Sequence, residues 1–320
     1  MPGRDGGAMI LVGDIGGTRT RLALATRANG AWRVMQLQER PTGADILPMI
    51  REFLTAASGP AIEAAAFCGA GPVADDGSIR LTNAPVRLEP AALARAAGVG
   101  RAILINDFAA VAESLPALPP AQLLPCGGGG TRIGPRVVMG PGTGFGVAIA
   151  TPAGAGWAVV AGDGGHADLA PIDDEELDVW RRLRVLHGRV SAETVLCGPG
   201  LERLHVALHG PPRLEAEQIA LRAWRGEAPA AQTVALFTRW LGSVAGNLAL
   251  IAGALGGVYL AGGILPRWGS HFDAALFRTA FEDKPPYAEW LAAIPAYVVT
   301  HPSPGLLGLA LRAGSYTAEE

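Results

Sequence analysis

Short apolar runs joined by a glycine-rich turn open the chain. Ile10–Val12 and Leu22–Ala25 are runs of strand length, and Gly13–Thr18 lies between them. This pattern predicts a strand, a tight turn and a second strand. Asp14 places a carboxylate at the end of the first apolar run, where a plain hairpin turn would not need one. We therefore consider this turn a candidate ligand site as well as an ordinary turn.

The same pattern returns further along, where Val137–Met139 and Val147–Ala150 flank Gly140–Gly146. A glycine turn lets the backbone come close to a polyanion, because no Cβ blocks it and its N–H groups can point inward. Two such turns predict a nucleoside triphosphate held between two related domains, as in a phosphotransferase. Neither turn has the Gly-x4-Gly-Lys-Ser/Thr pattern or the helix that follows a Rossmann glycine motif. With 44 glycines in the chain, an ordinary hairpin remains the alternative for each.

The rest of the chain alternates between short apolar runs and helical periodicity. The further predicted strands are Trp32–Leu37, Ala64–Cys68, Arg101–Ile105, Trp157–Ala161, Val258–Ala261 and Ala296–Thr300. The predicted helices are Asp45–Ala57, Pro90–Ala97, Asp174–His187, Glu215–Arg225, Ala230–Gly253 and Gly305–Ala313. This alternation predicts an α/β fold built of layers. The proline-rich segment Pro116–Pro125 is a candidate linker.

Composition limits the class of protein. The 320 residues are 49% hydrophobic, enough for about two domains with separate cores. The net charge of −3 gives no reason to expect a nucleic-acid-binding surface. Cys68, Cys126 and Cys197 are scattered and form no Cys-x-x-Cys pair, so we expect a reducing compartment, the cytoplasm, and no zinc site.

Two segments could be misread. Leu241–Leu265 is almost uncharged and long enough to suggest a membrane span, but glycines interrupt it. We interpret it as the end of a buried helix, a turn and a strand, and expect no membrane association. Residues 1–8 are polar and glycine-rich, so we expect them to be disordered, with Met9 a plausible alternative start. No secretion signal is recognisable.

Asn106 and Asp107 come directly after a predicted strand. Ligands of α/β sheets usually bind at the carboxyl ends of strands. A carboxylate there could accept the proton of an attacking hydroxyl, while the neighbouring amide orients the substrate. The alternative is that both residues only cap the following helix, because Asn and Asp are favoured N-caps.

Asp163, His166 and Glu193 are three further polar candidates with glycines near the first two. Their side chains could bind the hydroxyl groups of a small ligand. Alternatively, His166 is a hydrogen-bonded core histidine, and Glu193 is a carboxylate favoured by a helix dipole. His205 and His209 have the spacing of a metal-chelating pair on a helix, but no third ligand accompanies them.

Several stretches together resemble the bacterial glucokinases of the hexokinase type, in the superfamily of actin and the heat-shock chaperones. The matches occur in the same order as in that family, from residue 11 to about residue 308. The stretches are Leu11–Thr18, Ile105–Val111, Gly140–Gly146, Gly162–His166, Val190–Leu201, Gly257–Arg267, Phe277–Lys284 and Pro304–Gly308.

The resemblance implies a two-domain, ribonuclease-H-like or actin-like ATPase fold with ATP and sugar in the interdomain cleft. It implies a smaller α/β domain of residues 9–115 with 303–320, and a larger one of residues 116–302. Closure about the crossings near Pro116–Pro125 and His301–Pro304 would exclude water. The expected enzyme is a homodimeric glucokinase that phosphorylates glucose at its 6-hydroxyl with ATP and Mg²⁺, the first step of glycolysis.

The resemblance also assigns roles to residues. Asp107 is the expected catalytic base, with Asn106, Asp163, His166 and Glu193 as sugar ligands. Asp14 is expected to hold Mg²⁺, mainly through water. The expected nucleotide-binding residues are Gly16, Gly17, Thr18, Gly142, Thr143, Gly144, Gly262 and Gly263, the last two beside the adenosine.

Two positions depart from the family pattern. These glucokinases usually have Glu where this chain has Asp163, and Asn where it has Arg19. A shorter carboxylate leaves a kinase for another hexose or an N-acetylhexosamine as an alternative. A non-catalytic sugar sensor would release no ADP in the presence of sugar. A chaperone- or actin-like ATPase would hydrolyse ATP without sugar.

Overall fold

The computed structural model describes residues 9–58, 61–130, 132–154 and 156–317. Residues 1–8, which we expect to be disordered, lie outside the described residues. The strands are β1 (Met9–Ile15), β2 (Arg19–Ala28), β3 (Ala31–Pro41), β4 (Ala64–Gly69), β5 (Ile79–Arg80), β6 (Arg87–Leu88), β7 (Ala102–Asn106), β8 (Leu123–Pro125), β9 (Arg136–Pro141), β10 (Phe145–Ala153), β11 (Gly156–Gly162), β12 (Gly257–Leu260) and β13 (Ala296–Val299). The helices are α1 (Leu47–Ala56), α2 (Pro90–Ala97), α3 (Asp107–Ser114), α4 (Asp174–His187), α5 (Ala192–Val195), α6 (Gly198–His209), α7 (Ala216–Trp224), α8 (Ala228–Ala252), α9 (Leu265–Trp268), α10 (Ala274–Glu282), α11 (Ala288–Ala292) and α12 (Pro304–Thr317).

The chain forms two compact units. One contains the residues up to Leu118 and those from His301 onward, and the other is Pro119–Thr300. The boundaries expected from the sequence are 115/116 and 302/303, a few residues away.

The first unit is built on a five-stranded sheet in the order β3-β2-β1-β4-β7. β1, β2 and β3 form an antiparallel meander, and β4 and β7 run parallel to β1. Asp14 pairs in register with Cys68, and Gly69 pairs with Asn106. The ends of β1, β4 and β7 therefore place Asp14 and the Asn106-Asp107 pair at the same carboxyl edge of the sheet.

Alternate residues of the strands point to opposite faces of this sheet. Apolar residues point to both faces, so helices pack on both. Leu11 of β1 belongs to a core cluster with residues of α1 and α2. Ile10 and Val12 belong to a second cluster with Ala110 of α3 and with Leu306, Leu309, Ala310 and Ala313 of α12. The last helix thus returns to the first unit and completes one of its two cores.

The second unit repeats this strand order. Its six-stranded sheet runs β11-β10-β9-β12-β13-β8. β9, β10 and β11 form an antiparallel meander, and β12 and β13 follow parallel to β9. The first five strands therefore have the topology of the first sheet, and β8 adds an antiparallel edge. Each glycine turn occupies the same position, between the first two strands of its antiparallel meander.

The helix α8 has the length and composition of a membrane span, but 61% of its most apolar window is buried inside the protein. Its Trp240 is fully buried and donates to Glu176 of α4 at 2.8 Å. Glu176 also accepts from Arg239 at 2.9 Å and from the Ile172 amide at 3.0 Å. A buried charge is tolerated when it is paired and hydrogen-bonded in this way.

The alternation of strands and helices predicted from the sequence is confirmed, and α4 has the predicted bounds. Its ends are marked locally, because Asp173 caps the first turn and Gly188 adopts φ +78° just after the last. The candidate linker Pro116–Pro125 contains the boundary between the two units, after Leu118, although it is not without structure. This segment contains short 3₁₀ turns and strand β8, which pairs with β13 far along the chain.

Candidate active site

Asn106 and Asp107 join β7 to α3. The Asn106 side chain caps the helix by accepting from the amides of Phe108 at 2.9 Å and Ala109 at 3.1 Å. Its amide nitrogen donates to the Gly71 carbonyl at 3.2 Å. Asn106 therefore does cap the helix, and its second amide N–H makes no hydrogen bond within the described residues, so it is left for a ligand.

Asp107 is the first residue of α3. Its Oδ1 also accepts from the Phe108 amide at 2.9 Å. The helix dipole favours a negative charge at this position. The neighbouring Asn106 fixes the backbone of this turn, so the Asp107 carboxylate has a defined position at the carboxyl edge of the sheet.

Asp14 ends β1 at the same edge. Its Oδ1 accepts from Cys68 Sγ at 3.6 Å, and Arg21 Nη1 lies 3.9 Å from its Oδ2. Burial raises the pKa of the Asp14 carboxyl, and the Arg21 guanidinium opposes this shift. Burial also raises the pKa of Cys68 well above its ordinary value, and the nearby Asp14 and Asp107 charges add to that shift. The two carboxylates therefore share one electrostatic environment in the first unit.

Arg21 was not among the candidates found from the sequence, although a local signal exists. The hairpin pairs Asp14 with Arg21 across the glycine turn, so the pairing follows from counting outward from the turn. Arg21 Nε also donates to Glu39 Oε2 at 2.7 Å, and Glu39 binds Arg19 through its other oxygen. Arg19, which departs from the family pattern, thus has an ion-pair partner.

The first glycine turn, Gly16-Gly17-Thr18, keeps two of its three amides available to a ligand. The Gly16 amide donates to the Arg19 carbonyl at 3.0 Å. In the described part of the chain, the amides of Gly17 and Thr18 donate to no protein acceptor. Thr42 supports the turn, because its hydroxyl donates to the Gly16 carbonyl at 2.7 Å. A fixed turn with two N–H groups free of protein acceptors is suited to binding a phosphate.

The second glycine turn, Gly142-Thr143-Gly144, has the same property. The Gly142 amide donates to the Gly144 carbonyl at 2.8 Å, and the Gly198 amide donates to the Gly142 carbonyl at 2.9 Å. Across the described ranges, no acceptor is bonded to the amides of Thr143 and Gly144.

Gly262 and Gly263 follow β12 beside this turn. Gly262 adopts φ +87°, and a Cβ there would lie 2.4 Å from the Pro141 carbonyl oxygen. Glycine is therefore required where these two loops approach each other.

His166 and Glu193 come together next to the second turn. His166 Nε2 lies 4.0 Å from Glu193 Oε1, and Glu193 Oε2 accepts from the Phe145 amide at 2.7 Å. The Glu193 carboxylate therefore bonds another segment rather than its own helix, and the side chain of His166 is 59% exposed rather than in the core. The alternative of a core histidine is therefore wrong for His166. Glu193 does lie in the first turn of α5, as its alternative expects, but its carboxylate also makes this bond to Phe145.

Asp163 precedes His166 in a short 3₁₀ turn, and its carbonyl accepts from the His166 amide at 2.9 Å. Its side chain is exposed, and no hydrogen bond to its carboxylate occurs within the described residues. It is therefore available to a ligand beside His166.

Of the two histidines on α6, His205 has a structural partner. His205 is buried, and its Nδ1 lies 2.8 Å from the Thr233 hydroxyl. Burial lowers its pKa. No group of three or more metal-ligand side chains occurs in the part of the chain that the structure describes.

Paired carboxylates at one sheet edge, two glycine turns with available amides and a repeated strand order define the class. The fold is that of the actin-like ATPases, and each unit carries residues of the kinds that an ATP-dependent phosphotransferase uses. A family model for glucokinase matches residues 11–315, so the chain belongs to the glucokinase family.

Individual relatives agree. The chain is 38% identical over 317 residues to the glucokinase of Chromobacterium violaceum, covering 96% of this chain and 90% of the relative. It superimposes on the crystal structure of a glucokinase from an Antarctic psychrotroph with a TM-score of 0.85 and 33% identity, covering 96% and 99% of the two chains. A ROK family glucokinase from Streptomyces griseus, solved with glucose and AMPPNP, shares the fold at a TM-score of 0.68 and 20% identity. That match covers 96% of this chain and 100% of the other.

Proposed function

We propose that the protein transfers the γ-phosphoryl group of ATP to the 6-hydroxyl of D-glucose, giving glucose 6-phosphate and ADP. Membership of the glucokinase family supports the reaction. The observation that carries the mechanism is the placement of Asp107 at the start of α3, fixed there by the Asn106 cap.

Asp107 accepts the proton of the glucose 6-hydroxyl as that oxygen attacks the γ-phosphorus and the bond to the β-phosphate oxygen breaks. Phosphoryl transfer needs little covalent help from a protein, so positioning and charge stabilisation supply most of the acceleration. The remaining Asn106 N–H, Asp163, His166 and Glu193 hold the other sugar hydroxyls. Within the two glycine turns, the amides of Gly17, Thr18, Thr143 and Gly144 bind the ATP phosphates, while the bonded amides of Gly16 and Gly142 hold the turns in shape. Gly262-Gly263 lies beside the adenosine.

Asp14 fits a magnesium ion that keeps most of its water. It is a single carboxylate, its side chain is 31% exposed, and Mg²⁺ usually binds proteins through one or two carboxylates. The ion would neutralise charge on the β- and γ-phosphates. Asp14 would orient it through a bound water, while Arg21 limits the negative charge of the site.

The relatives and the three buried cysteines, free in the structure, support a cytoplasmic enzyme, and the family resemblance supports a homodimer. Light scattering on the purified protein would give its oligomeric state.

The test of the proposed reaction is ADP release with MgATP against glucose, mannose, fructose, N-acetylglucosamine and N-acetylmannosamine. We expect the highest kcat/KM with glucose and no more than trace ADP without sugar. Preference for another sugar would identify a different hexose kinase. Sugar-independent turnover would contradict the proposal and favour an ATPase.

Asp163→Glu is expected to lower the KM for glucose about tenfold. The longer side chain carries the carboxylate one C–C bond, roughly 1.5 Å, further toward the sugar, and a recovered polar contact is worth about 1–3 kcal/mol. Steady-state kinetics with glucose and with mannose measures the change. Asp168→Glu is the matched control, because Asp168 is also exposed but pairs with Arg189. If Asp163→Glu raised the KM for glucose while Asp168→Glu left it unchanged, the site would be built for the shorter residue.

Asp14→Asn is expected to lower kcat/KM for MgATP by roughly 10- to 100-fold and to raise the Mg²⁺ concentration needed for half-maximal activity, as is usual when a partner of a bound metal is lost. Titration of Mg²⁺ at fixed ATP measures this. Asp45→Asn changes an exposed carboxylate of the same unit and serves as control. An unchanged Mg²⁺ titration would remove Asp14 from the metal site.

A further inference from the structure

The Glu193 carboxylate lies between His166 and the glycine turn of the second unit. Its Oε1 faces His166, with 4.0 Å to Nε2. Its Oε2 accepts from the Phe145 amide at 2.7 Å, directly after the turn Gly142-Thr143-Gly144. One oxygen of the Glu193 carboxylate thus faces His166, which is proposed to bind the sugar. The other accepts from the backbone directly after the proposed phosphate-binding turn.

The turn is shaped around this carboxylate. A Cβ on Gly144 would lie 2.5 Å from Glu193 Oε2, closer than van der Waals contact allows. At the other end of the turn, the Gly198 amide donates to the Gly142 carbonyl. The segment from Glu193 to Gly198 therefore holds both ends of the turn.

The backbone of Glu193 is itself held in place. Its carbonyl accepts from Cys197 Sγ at 3.1 Å and from Arg203 Nη2 at 3.3 Å. Arg203 Nε also donates to the Thr194 carbonyl at 2.8 Å. Because the main chain is fixed on this side, a displacement of one carboxylate oxygen is transmitted to the other rather than absorbed by the backbone.

We propose that Glu193 is a positioning residue for the second phosphate-binding turn, in addition to its role at the sugar, and that it couples glucose binding to nucleotide binding. This inference rests on the proposed function. Without the carboxylate, the Phe145 amide loses a charged acceptor, and the turn loses the contact that sets its shape. Coupling of this kind is reciprocal, so glucose must strengthen nucleotide binding by the same factor by which nucleotide strengthens glucose binding.

The first test measures the dissociation constant of MgADP by calorimetry in the absence of sugar. Glu193→Ala is expected to weaken MgADP binding about tenfold, the effect of losing a hydrogen bond to a charged group. Glu193→Gln is expected to restore most of that affinity, because its amide oxygen can still accept from Phe145. Glu217→Ala, which removes an exposed carboxylate of α7 in the same unit, is expected to leave MgADP binding within about twofold.

The second test changes the glycine turn and measures the effect on glucose binding. Gly144→Ala is expected to weaken glucose binding measured without nucleotide, because the added Cβ displaces the Glu193 carboxylate. Gly142→Ala is the matched control, since its Cβ would meet only the Gly144 carbonyl oxygen at 3.9 Å. Its glucose affinity is expected to stay near that of the wild type.

The inference would be overturned if Glu193→Ala bound MgADP as tightly as the wild type without sugar, or if Gly144→Ala and Gly142→Ala bound glucose equally well. Both results concern binding alone. Failure of the proposed function would instead be seen in the wild type, as absence of MgADP binding or of glucose phosphorylation.

Discussion

Asp107→Ala is expected to lower kcat for glucose phosphorylation by about three orders of magnitude and to leave the dissociation constant of glucose within a few-fold. General base catalysis typically contributes 10²- to 10⁴-fold, and the variant retains the other sugar ligands. Asn106 keeps its cap on α3, so the helix start and the sugar-facing amide should remain in place. A loss in kcat with little change in sugar affinity is the signature of an interaction made mainly in the transition state.

The measurement is steady-state kinetics together with glucose binding by calorimetry. Asp107→Asn keeps the shape of the side chain and should lose activity to a similar degree, which separates proton acceptance from packing. Glu113→Gln removes another carboxylate of α3, one that pairs with Arg312 at 3.3 Å, and should keep turnover near wild type. A variant of Asp107 that retained more than a tenth of the normal rate would contradict its assignment as base.

Gly308→Ala is expected to lower the free energy of unfolding by about 3 kcal/mol, the upper end of typical overpacking costs. A Cβ on Gly308 would lie 1.7 Å from the Ala110 carbonyl oxygen, where α12 meets α3. The clash involves backbone, so no side-chain rotation relieves it and the helices must separate. Because α3 begins at Asp107, the same shift should also reduce turnover in the protein that remains folded.

Gly305→Ala is the matched control for this prediction. It changes a glycine in the first turn of the same helix, and its Cβ would meet only Val111 and Ala110 side-chain atoms at 3.9–4.0 Å. Alanine is favoured over glycine within helices by up to about 1 kcal/mol, so this variant should be as stable as the wild type or more so. Urea unfolding of both variants tests the pair, and equal stabilities would show that α12 does not pack as closely as the structure indicates.

The ten described strands of four or more residues, six of the twelve described α-helices and both glycine turns were predicted from the sequence, because their signals are local. The alternation of apolar runs predicts β1 and β2, and Asp173 and Gly188 mark the ends of α4. Strand β8 was not predictable, because Leu123–Pro125 is a short proline-containing run that becomes a strand only by pairing with β13. Its pairing partner lies far along the chain, and nothing in the local sequence indicates it.

The candidate site also contains residues with a local signal in the sequence and contacts that form only when the chain folds. Asp14, Asn106 and Asp107 could be found because each follows an apolar strand, and the parallel register then brings them to one edge. Arg21 could have been found by counting outward from the glycine turn, because it pairs with Asp14 across the hairpin. The bond from Phe145 to Glu193 could not, since it joins the first residue of β10 to a residue of α5 that lies 48 positions further along the chain. The dual position of Glu193 is therefore a property of the folded chain only.

The most direct test of the central claim follows the products of the wild-type protein with MgATP and glucose by ³¹P NMR. We expect one glucose 6-phosphate for each ADP formed, and no reaction when glucose is omitted. Formation of ADP and inorganic phosphate without sugar, or a phosphorylated sugar other than the 6-phosphate, would contradict the assigned reaction.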